Sequence, residues 1–365
     1  VVADPAEPGP RGKGLKTMTP IPQVRFPRLP ERLGVVSHFL ARQTVYRKRF
    51  LAMGTEVTVT LAADRRSRAE AEAALARTER LLIQFGIDAW AWGSGALAAF
   101  NRQLALGLSA EVPPTLRPLF LKAWQMHVAT GGRYEPRIAS LVRLWGFDDA
   151  VRLRSTPPPP LDIVALRQAM AAAPAFDGGS RYGPAPGCGW DFGGIGKGYI
   201  VDLALALLAQ AGFDDATIDA GGHVATRGRR DNRPWRIGIR DPFASAEPDL
   251  VLASVQPGEA SVVTHGVDQR GFDFEGRRLS HLLDPATGWP VEGLRSLTVV
   301  HEDGALADAG GAALFVAGPD GWPALARRLG LTQVLALRSD GRAEVTPALA
   351  RRLAWKRARR PEIVD

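Results

Sequence analysis

At 365 residues, 45% apolar and 23% charged, the chain is long enough for one large domain or two smaller ones, and its composition is that of an ordinary globular protein. Its net charge of +8 comes without interleaved basic and aromatic residues or a recognised nucleic-acid module, so nucleic acid is excluded as the expected partner. A single cysteine, Cys188, excludes an internal disulfide and a thiolate-rich metal centre, and no apolar run reaches the ~18 residues of a membrane-spanning helix.

Residues 1–34 are rich in Pro, Gly and Arg with no apolar period, and an N-terminal extension is expected over 1–44. The alternation from Phe50 to Leu61 predicts a strand with Met53-Gly54-Thr55 at its start. Ala71, Ala74, Leu75, Leu81 and Leu82 recur at helical spacing and predict a helix over 66–84. Further helices are expected at 96–102, at 114–129 after Pro113-Pro114, at 138–145 and at 162–173. Residues 175–189 read as a loop. Trp190-Asp191-Phe192 then leads through glycines into a helix over 197–211. Short β-like segments follow at 216–219, 223–228, 235–240, 250–255, 261–264, 271–274 and 296–301. Helices over 305–317 and 321–329, a strand over 332–337 and a basic C-terminal helix over 346–358 complete the chain. Helices and strands are partly segregated, which predicts an α+β fold with one main domain over 45–345.

Four segments carry chemistry. In the first, Asp191 to Asp202, glycines let the backbone approach a ligand, a helix start favours phosphate, and Lys197 stands at that start. It matches neither a P-loop nor a dinucleotide fingerprint, and a purely structural turn explains it almost as well. In the second, Asp219-Ala220-Gly221-Gly222-His223, the glycine pair reads as a tight bend. The third is His281-Leu282-Leu283-Asp284-Pro285-Ala286-Thr287-Gly288-Trp289-Pro290, preceded by Thr264-His265-Gly266. It combines an imidazole, a carboxylate and a hydroxyl with three chain-bending residues, so that His281 can serve as base or electrophile and Asp284 can orient it or bind metal. In the fourth, Asp303 to Ala312, an acid at a helix start serves as a cap or as a ligand for a hard cation.

In this order the segments resemble the ApbE-type flavin transferases (FAD:protein FMN transferases). The likeness covers roughly residues 45–340. It includes Ala52-Met53-Gly54-Thr55, Ala129 to Pro136 through Leu144-Trp145-Gly146-Phe147, Asp191 to Asp202, Ala220-Gly221-Gly222, Pro234 to Ile239 with Asp241-Pro242, and His281 to Gly288. The resemblance implies antiparallel sheets flanked by helices around a central flavin-binding cleft. It implies FAD as substrate, Mg²⁺ as cofactor, and transfer of FMN to a Ser or Thr hydroxyl of an acceptor protein with release of AMP. FAD hydrolysis to FMN and AMP, or flavin binding without catalysis, are the alternatives.

By the same resemblance, Met53, Tyr134, Glu135, Asp191, Lys197 and His281 match flavin-contacting positions, with Trp90 or Trp92 as an aromatic wall. Gly194, Asp308, Gly311 and Ala312 match the metal positions, and His281 with Asp284 is expected to take the proton from the nucleophile. Export is the family habit. The expected location is therefore the periplasm or the outer face of the cytoplasmic membrane, with membrane association through a leader not present in the sequence.

The chain departs from the family pattern at four places. Ala312 stands where Thr is usual, Glu135 where Asp is usual, His265 where Ser is usual, and His223 where Asp is usual. Ala312 has no side-chain oxygen, which predicts a weaker metal site. Gly310 and Gly311 near the helix start cost about 1 kcal/mol each relative to Ala.

Overall fold

The computed structural model describes residues 43–63, 66–148, 153–244, 250–268, 270–357 and 360–365. The extension expected over 1–44 therefore falls outside the described residues as far as residue 42. Among the described residues no helix is long and apolar enough to cross a membrane.

A nine-stranded sheet organises the molecule. Its strands are β1 (Thr44–Ala52), β2 (Thr55–Ala63), β3 (Ala216–Ala220), β4 (His223–Arg227), β5 (Ala260–Gly266), β6 (Leu294–His301), β7 (Val334–Arg338), β8 (Ala343–Val345) and β9 (Glu362–Ile363). Their order in space is their order in the chain, and every neighbouring pair is antiparallel except β8 with β9. The helices are α1 (Arg68–Asp88), α2 (Ala96–Ala105), α3 (Arg117–Ala129), α4 (Ala139–Leu144), α5 (Pro160–Ala172), α6 (Gly196–Gln210) and α7 (Gly304–Leu329). They fill the long excursions between strands, as an α+β fold requires.

Packing explains the apolar runs. Val57, Val59 and Leu61 of β2 are buried with Leu75 and Leu82 of α1 and Val201 and Leu208 of α6. In the central strands both faces are covered. Val263 and Val299 face the core that contains α7, whereas Val262 and Val300 face a small sheet formed by Ile237–Arg240, Val251–Val255 and Leu353–Trp355. A strand buried on both sides reads as a continuous apolar run, not an alternating one. Elsewhere α1 starts with a capping box between Ser67 and Glu70, which satisfies two donors that a helix start leaves open.

Three departures from the expected elements bear on the fold. The strand expected from Phe50 is a two-strand hairpin, with Met53 and Gly54 as its turn at φ 53° and 71°. Two successive left-handed residues are what a tight hairpin turn needs, and Met occupies the first despite its β-carbon. The two helices expected at 305–317 and 321–329 run together as α7 across a break at Gly318, φ 72°. The basic helix expected over 346–358 is a correction. Only Pro347–Ala350 is helical, and Leu353–Trp355 then pairs with Val251–Val255 as a strand. Leu353 and Trp355 pack against the inter-sheet core, and that tertiary contact overrides the local helical appearance.

Candidate active site

The site lies at one end of the sheet, where the β1–β2 and β3–β4 turns meet the starts of α6 and α7. The β3–β4 turn is Gly221-Gly222, at φ 65° and 91°. A β-carbon on Gly221 would fall 2.2 Å from Thr55 Oγ1, so glycine is required where the two hairpin tips touch. His223 begins β4 immediately after this turn. His265 lies near the end of the neighbouring strand β5, whose Val263 pairs with His223.

The turn into α6 is held from below. The side chain of Asn101 clamps the backbone of Trp190, donating Nδ2–H to its carbonyl and accepting its N–H, each at 2.8 Å. Beneath it Phe120 packs against Trp190 and Phe192, with ring centroids 4.5 and 5.0 Å apart. The Asp191 carboxylate accepts the Gly193 N–H at 2.9 Å. Burial raises its pKa, and that bond and the charges of Lys197 and Arg270 oppose the rise.

Most donors at the start of α6 are already used. The N–H groups of Ile195 and Gly196 go to the Phe192 carbonyl, and that of Gly198 goes to Asp308 Oδ2 at 3.1 Å. The amides of Gly194 and Lys197 have no protein acceptor among the described residues. The anion-binding capacity expected of this helix start is thus narrowed to two amides and the Lys197 ammonium.

The glycines of this turn also serve packing. A β-carbon on Gly198 would lie 2.0 Å from the Gly304 carbonyl oxygen, so α6 and α7 approach to backbone contact there. Asp202, one turn on, accepts the Gly304 N–H at 2.7 Å. Its pKa is raised to about 6, chiefly by burial. Asp303 caps α7 by accepting the Leu306 N–H. The cap expected of an acid in this segment is therefore Asp303, which leaves Asp308, one turn inside the helix, for other use.

Asp308 is buried between two imidazoles. His223 Nδ1 is 3.9 Å from its Oδ2, and His265 Nε2 is 3.8 Å from its Oδ1. Neither distance is a hydrogen bond. Both ring nitrogens of His223, Nε2 of His265 and the Tyr134 hydroxyl are buried with no partner among the described residues. Burial lowers the pKa of His223 to about 4, with Lys197 and His265 adding to the effect and Asp308 opposing it. His265 is lowered for the same leading reason. Burial also raises the Tyr134 hydroxyl well above its ordinary range, reinforced by the charges of Asp191, Asp308 and Glu135.

The positions that resemblance marks for metal come together here. A β-carbon built on Gly194 would lie 3.4 Å from the Tyr134 ring and 3.7 Å from the Ala312 methyl. One built on Gly311 would lie 2.8 Å from Cδ2 and Nε2 of His265, so the imidazole occupies the space a side chain at 311 would need. On Gly310 it would meet Leu331 at 2.8 Å. The two glycines that cost helix propensity are thus explained by their neighbours. Among the described residues no group of three or more His, Cys, Asp or Glu side chains could hold a metal ion. Asp308 is the only carboxylate among the four marked positions and Ala312 has no side-chain oxygen, so a hard cation here would be held by Asp308, backbone carbonyls and water.

His281 closes the other side. Its Nδ1 lies 3.2 Å from the Arg270 carbonyl oxygen. A carbonyl only accepts, so Nδ1 carries the hydrogen and Nε2 keeps its lone pair. Its pKa falls to about 4, first through burial, with the charges of Arg270 and Lys197 adding and the bond to the Arg270 carbonyl opposing.

Asp284 does not orient His281, contrary to expectation. Its Oδ1 accepts the Ala286 N–H at 2.9 Å, and the loop closes through Gly288 N–H to the Asp284 carbonyl and Asp284 N–H to that of Trp289. Trp145 holds the same loop by donating Nε1–H to the Gly288 carbonyl at 2.9 Å.

Glu135 is likewise committed elsewhere. Arg137 grips its carboxylate through Nε and a terminal nitrogen, each at 2.8 Å, while stacking over Trp124. The pair lines a cleft of about 570 Å³ with His127, Arg167 and Ala286 of the 281–290 loop. Met53 is half-buried at its hairpin tip against Gly86. Trp90 is 52% exposed at the end of α1, whereas Trp92 packs into the core. Arg137 and Arg270 are not legible in the sequence as site residues. Arg137 acts by gripping Glu135, two residues before it, and Arg270 by offering its backbone carbonyl to His281, eleven residues on; neither role shows in a sequence pattern.

Comparison with known proteins agrees with this geometry. Residues 53–336 match the model of the ApbE family. A Rhodobacter capsulatus protein named FAD:protein FMN transferase is 36% identical over 291 residues, covering 78% of this chain and 54% of that protein, so the chain spans about half the length of that relative. A Treponema pallidum protein of the same name is 29% identical over 337 residues, covering 86% of this chain and 90% of its own length. Among solved structures, the ApbE protein of Thermotoga maritima superposes with TM-score 0.74 at 27% identity, covering 86% of this chain and all of its own. The apo flavinyl transferase ApbE of Pseudomonas stutzeri superposes with TM-score 0.71 at 28% identity, covering 83% of this chain and 94% of its own.

Proposed function

The chain belongs to the ApbE family, and from that premise we propose that it transfers the FMN half of FAD to a Ser or Thr hydroxyl of an acceptor protein and releases AMP. One observation carries the reading. A neutral imidazole with a free Nε2 (His281), an ammonium without a salt-bridge partner among the described residues (Lys197) and a buried carboxylate (Asp308) surround a glycine turn with two open amides. The electrostatic reach of Lys197 to Asp191, His223, His265 and His281 marks them as one cluster.

In this reading the diphosphate of FAD lies against the turn at 193–198. Lys197 and the amides of Gly194 and Lys197 stabilise charge that builds on its oxygens, which is the largest contribution such a site makes. The acceptor hydroxyl forms a P–O bond to the FMN phosphorus while the bridging P–O bond to AMP breaks. Its proton passes to His281 Nε2, and AMP leaves with the bridging oxygen. A nearby anionic diphosphate also raises the affinity of His281 for that proton, offsetting the depression from Arg270 and Lys197. A divalent cation, Mg²⁺ by family resemblance, would supply charge neutralisation at the diphosphate, and Asp308 would be its carboxylate ligand. Asp191 and Asn101 keep the turn in shape.

The test is to incubate the protein with FAD, a divalent cation and a candidate acceptor. AMP together with an acceptor that carries covalent flavin fluorescence supports transfer. AMP with free FMN makes the protein a hydrolase, and bound FAD without AMP makes it a flavin binder. Action at the periplasm or outer face of the cytoplasmic membrane belongs to the same proposal and is supported by family habit alone; fractionation of the producing cells tests it.

A further inference from the structure

We infer that Arg270 is the positioning residue of His281: its carbonyl fixes the tautomer and orientation of the imidazole, and its guanidinium, hung on the Phe147 carbonyl, holds that carbonyl in place. The use of this device in catalysis rests on the reading of His281 as the base; the device itself does not.

The backbone brings the two residues together. Gly271–Phe274 and Arg277–Ser280 form a hairpin in which Gly271 pairs with Ser280. Arg270 and His281 are the residues just outside that pair, so they meet at the open end of the hairpin. The strands come close there: a β-carbon on Gly271 would lie 2.4 Å from the Leu279 carbonyl oxygen. The Arg270 carbonyl then accepts twice from His281, from its backbone N–H at 3.1 Å and from Nδ1 at 3.2 Å. A carbonyl oxygen has two lone pairs and can serve both donors. With the hydrogen on Nε2 instead, the Nδ1 lone pair would face that oxygen, and two acceptors would meet at 3.2 Å. One oxygen thus selects the tautomer, turns the ring toward its own backbone and leaves Nε2 on the far side.

The side chain secures the carbonyl. Arg270 Nη1 donates to the Phe147 carbonyl at 2.9 Å, the one acceptor its guanidinium has among the described residues. Phe147 is buried, with its ring parallel to that of Trp145 at 6.2 Å and packed against Phe272 of the hairpin. Trp145 in turn donates Nε1–H to the Gly288 carbonyl. Residues 145–147 therefore grip the 281–290 loop at both ends, at Gly288 directly and at His281 through Arg270. Burial, and then the charges of Arg270 and Lys197 and the neighbouring His265, disfavour a second proton on the His281 ring. Near neutral pH the imidazole is neutral, the state in which its tautomer decides what Nε2 can do.

The experiment is proton–nitrogen correlation spectroscopy of the imidazoles in isotope-labelled protein, without FAD and near neutral pH, with His281→Asn used to identify the His281 signals. In the wild type His281 is expected as one tautomer, with its hydrogen on Nδ1. Arg270→Met keeps the backbone carbonyl and removes its anchor, so a second population with the hydrogen on Nε2 should appear. The same variant should lower kcat for AMP release by about 10–10²-fold while KM for FAD changes less than about threefold, the loss expected when a catalytic group is misplaced. If Arg270→Met unfolds, Arg270→Gln, polar but too short to reach Phe147, carries the same test. A wild-type His281 with its hydrogen on Nε2, or variants that keep the pure Nδ1–H tautomer, would overturn the inference. A changed tautomer with unchanged AMP release supports the positioning of the ring and removes His281 from the role of base, so the two failures give different results.

Discussion

Two regions of the molecule treat their polar groups oppositely. Along the wall built from Glu135, Arg137 and the 281–290 loop, nearly every polar atom has a partner within the protein. Glu135 is gripped by Arg137, Asp284 bonds its own loop, and His281 Nδ1 reaches the Arg270 carbonyl. Around Asp308 the reverse holds: the imidazoles of His223 and His265 and the Tyr134 hydroxyl are buried and unpaired. Groups satisfied by the protein build a scaffold, and groups the fold leaves unsatisfied mark where a ligand completes it. His281 belongs to both, because one ring nitrogen is spent on the scaffold and the other is left for chemistry.

That contrast can be broken by mutation. The largest effect is expected for His281→Ala, which removes the free Nε2; AMP release should fall by about 10²–10⁴-fold while FAD still binds, as read by HPLC and by flavin fluorescence quenching. Next comes Glu135→Gln. It leaves the Arg137 guanidinium buried with half its partner, and should lower unfolding free energy in urea by about 3–5 kcal/mol. If Glu135 is scaffold, AMP release per folded molecule stays near wild type; a specific loss of turnover without loss of stability would return it to the flavin site.

Lys197→Met should lower AMP release by about 10²–10³-fold. Because the Lys197 charge depresses the His281 pKa, the acid limb of the pH–rate profile should also move to higher pH. An unshifted limb would mean that another group is the base. A smaller effect is expected for Asp284→Asn. An amide oxygen can still accept the Ala286 N–H, so turnover should change by less than about tenfold, and a larger drop would restore Asp284 to an orienting role.

The smallest effect is on stability. The folded-state pKa of His281 lies at about 4, below its ordinary 6.5, so the unfolded chain binds the proton more readily. The stability that His281 contributes is complete above pH 6.5 and is lost as pH falls through its folded value near 4. Thermal melts between pH 7 and 4 should therefore fall less steeply for His281→Asn than for the wild type.

Much of this was legible in the sequence, for reasons that differ between segments. The helices and the short strands followed from periodicity, because amphipathic helices and β-branched runs carry their burial in their spacing. The segments at 191–202, 281–290 and 303–312 were legible as belonging to one site, since glycines beside charges have no use in a core strand. What the spacing of Asp284 after His281 did not reveal is that its carboxylate bonds its own loop. A sequence pattern cannot distinguish a residue that touches a ligand from one that shapes the turn beside it. Gly310 and Gly311 read as a propensity cost, and only the neighbouring His265 and Leu331 explain them. The C-terminal segment was misread because Leu353 and Trp355 act through a small sheet assembled from residues about a hundred positions earlier.

The most direct test of the account is a crystal structure of the protein with bound FAD. The account predicts the diphosphate against residues 193–198, with Lys197 and Asp308 on one side and His281 Nε2 on the other, within reach of the FMN phosphorus through one water or hydroxyl. A diphosphate seated instead in the cleft lined by Glu135, Arg137, Arg167 and Ala286 would contradict it.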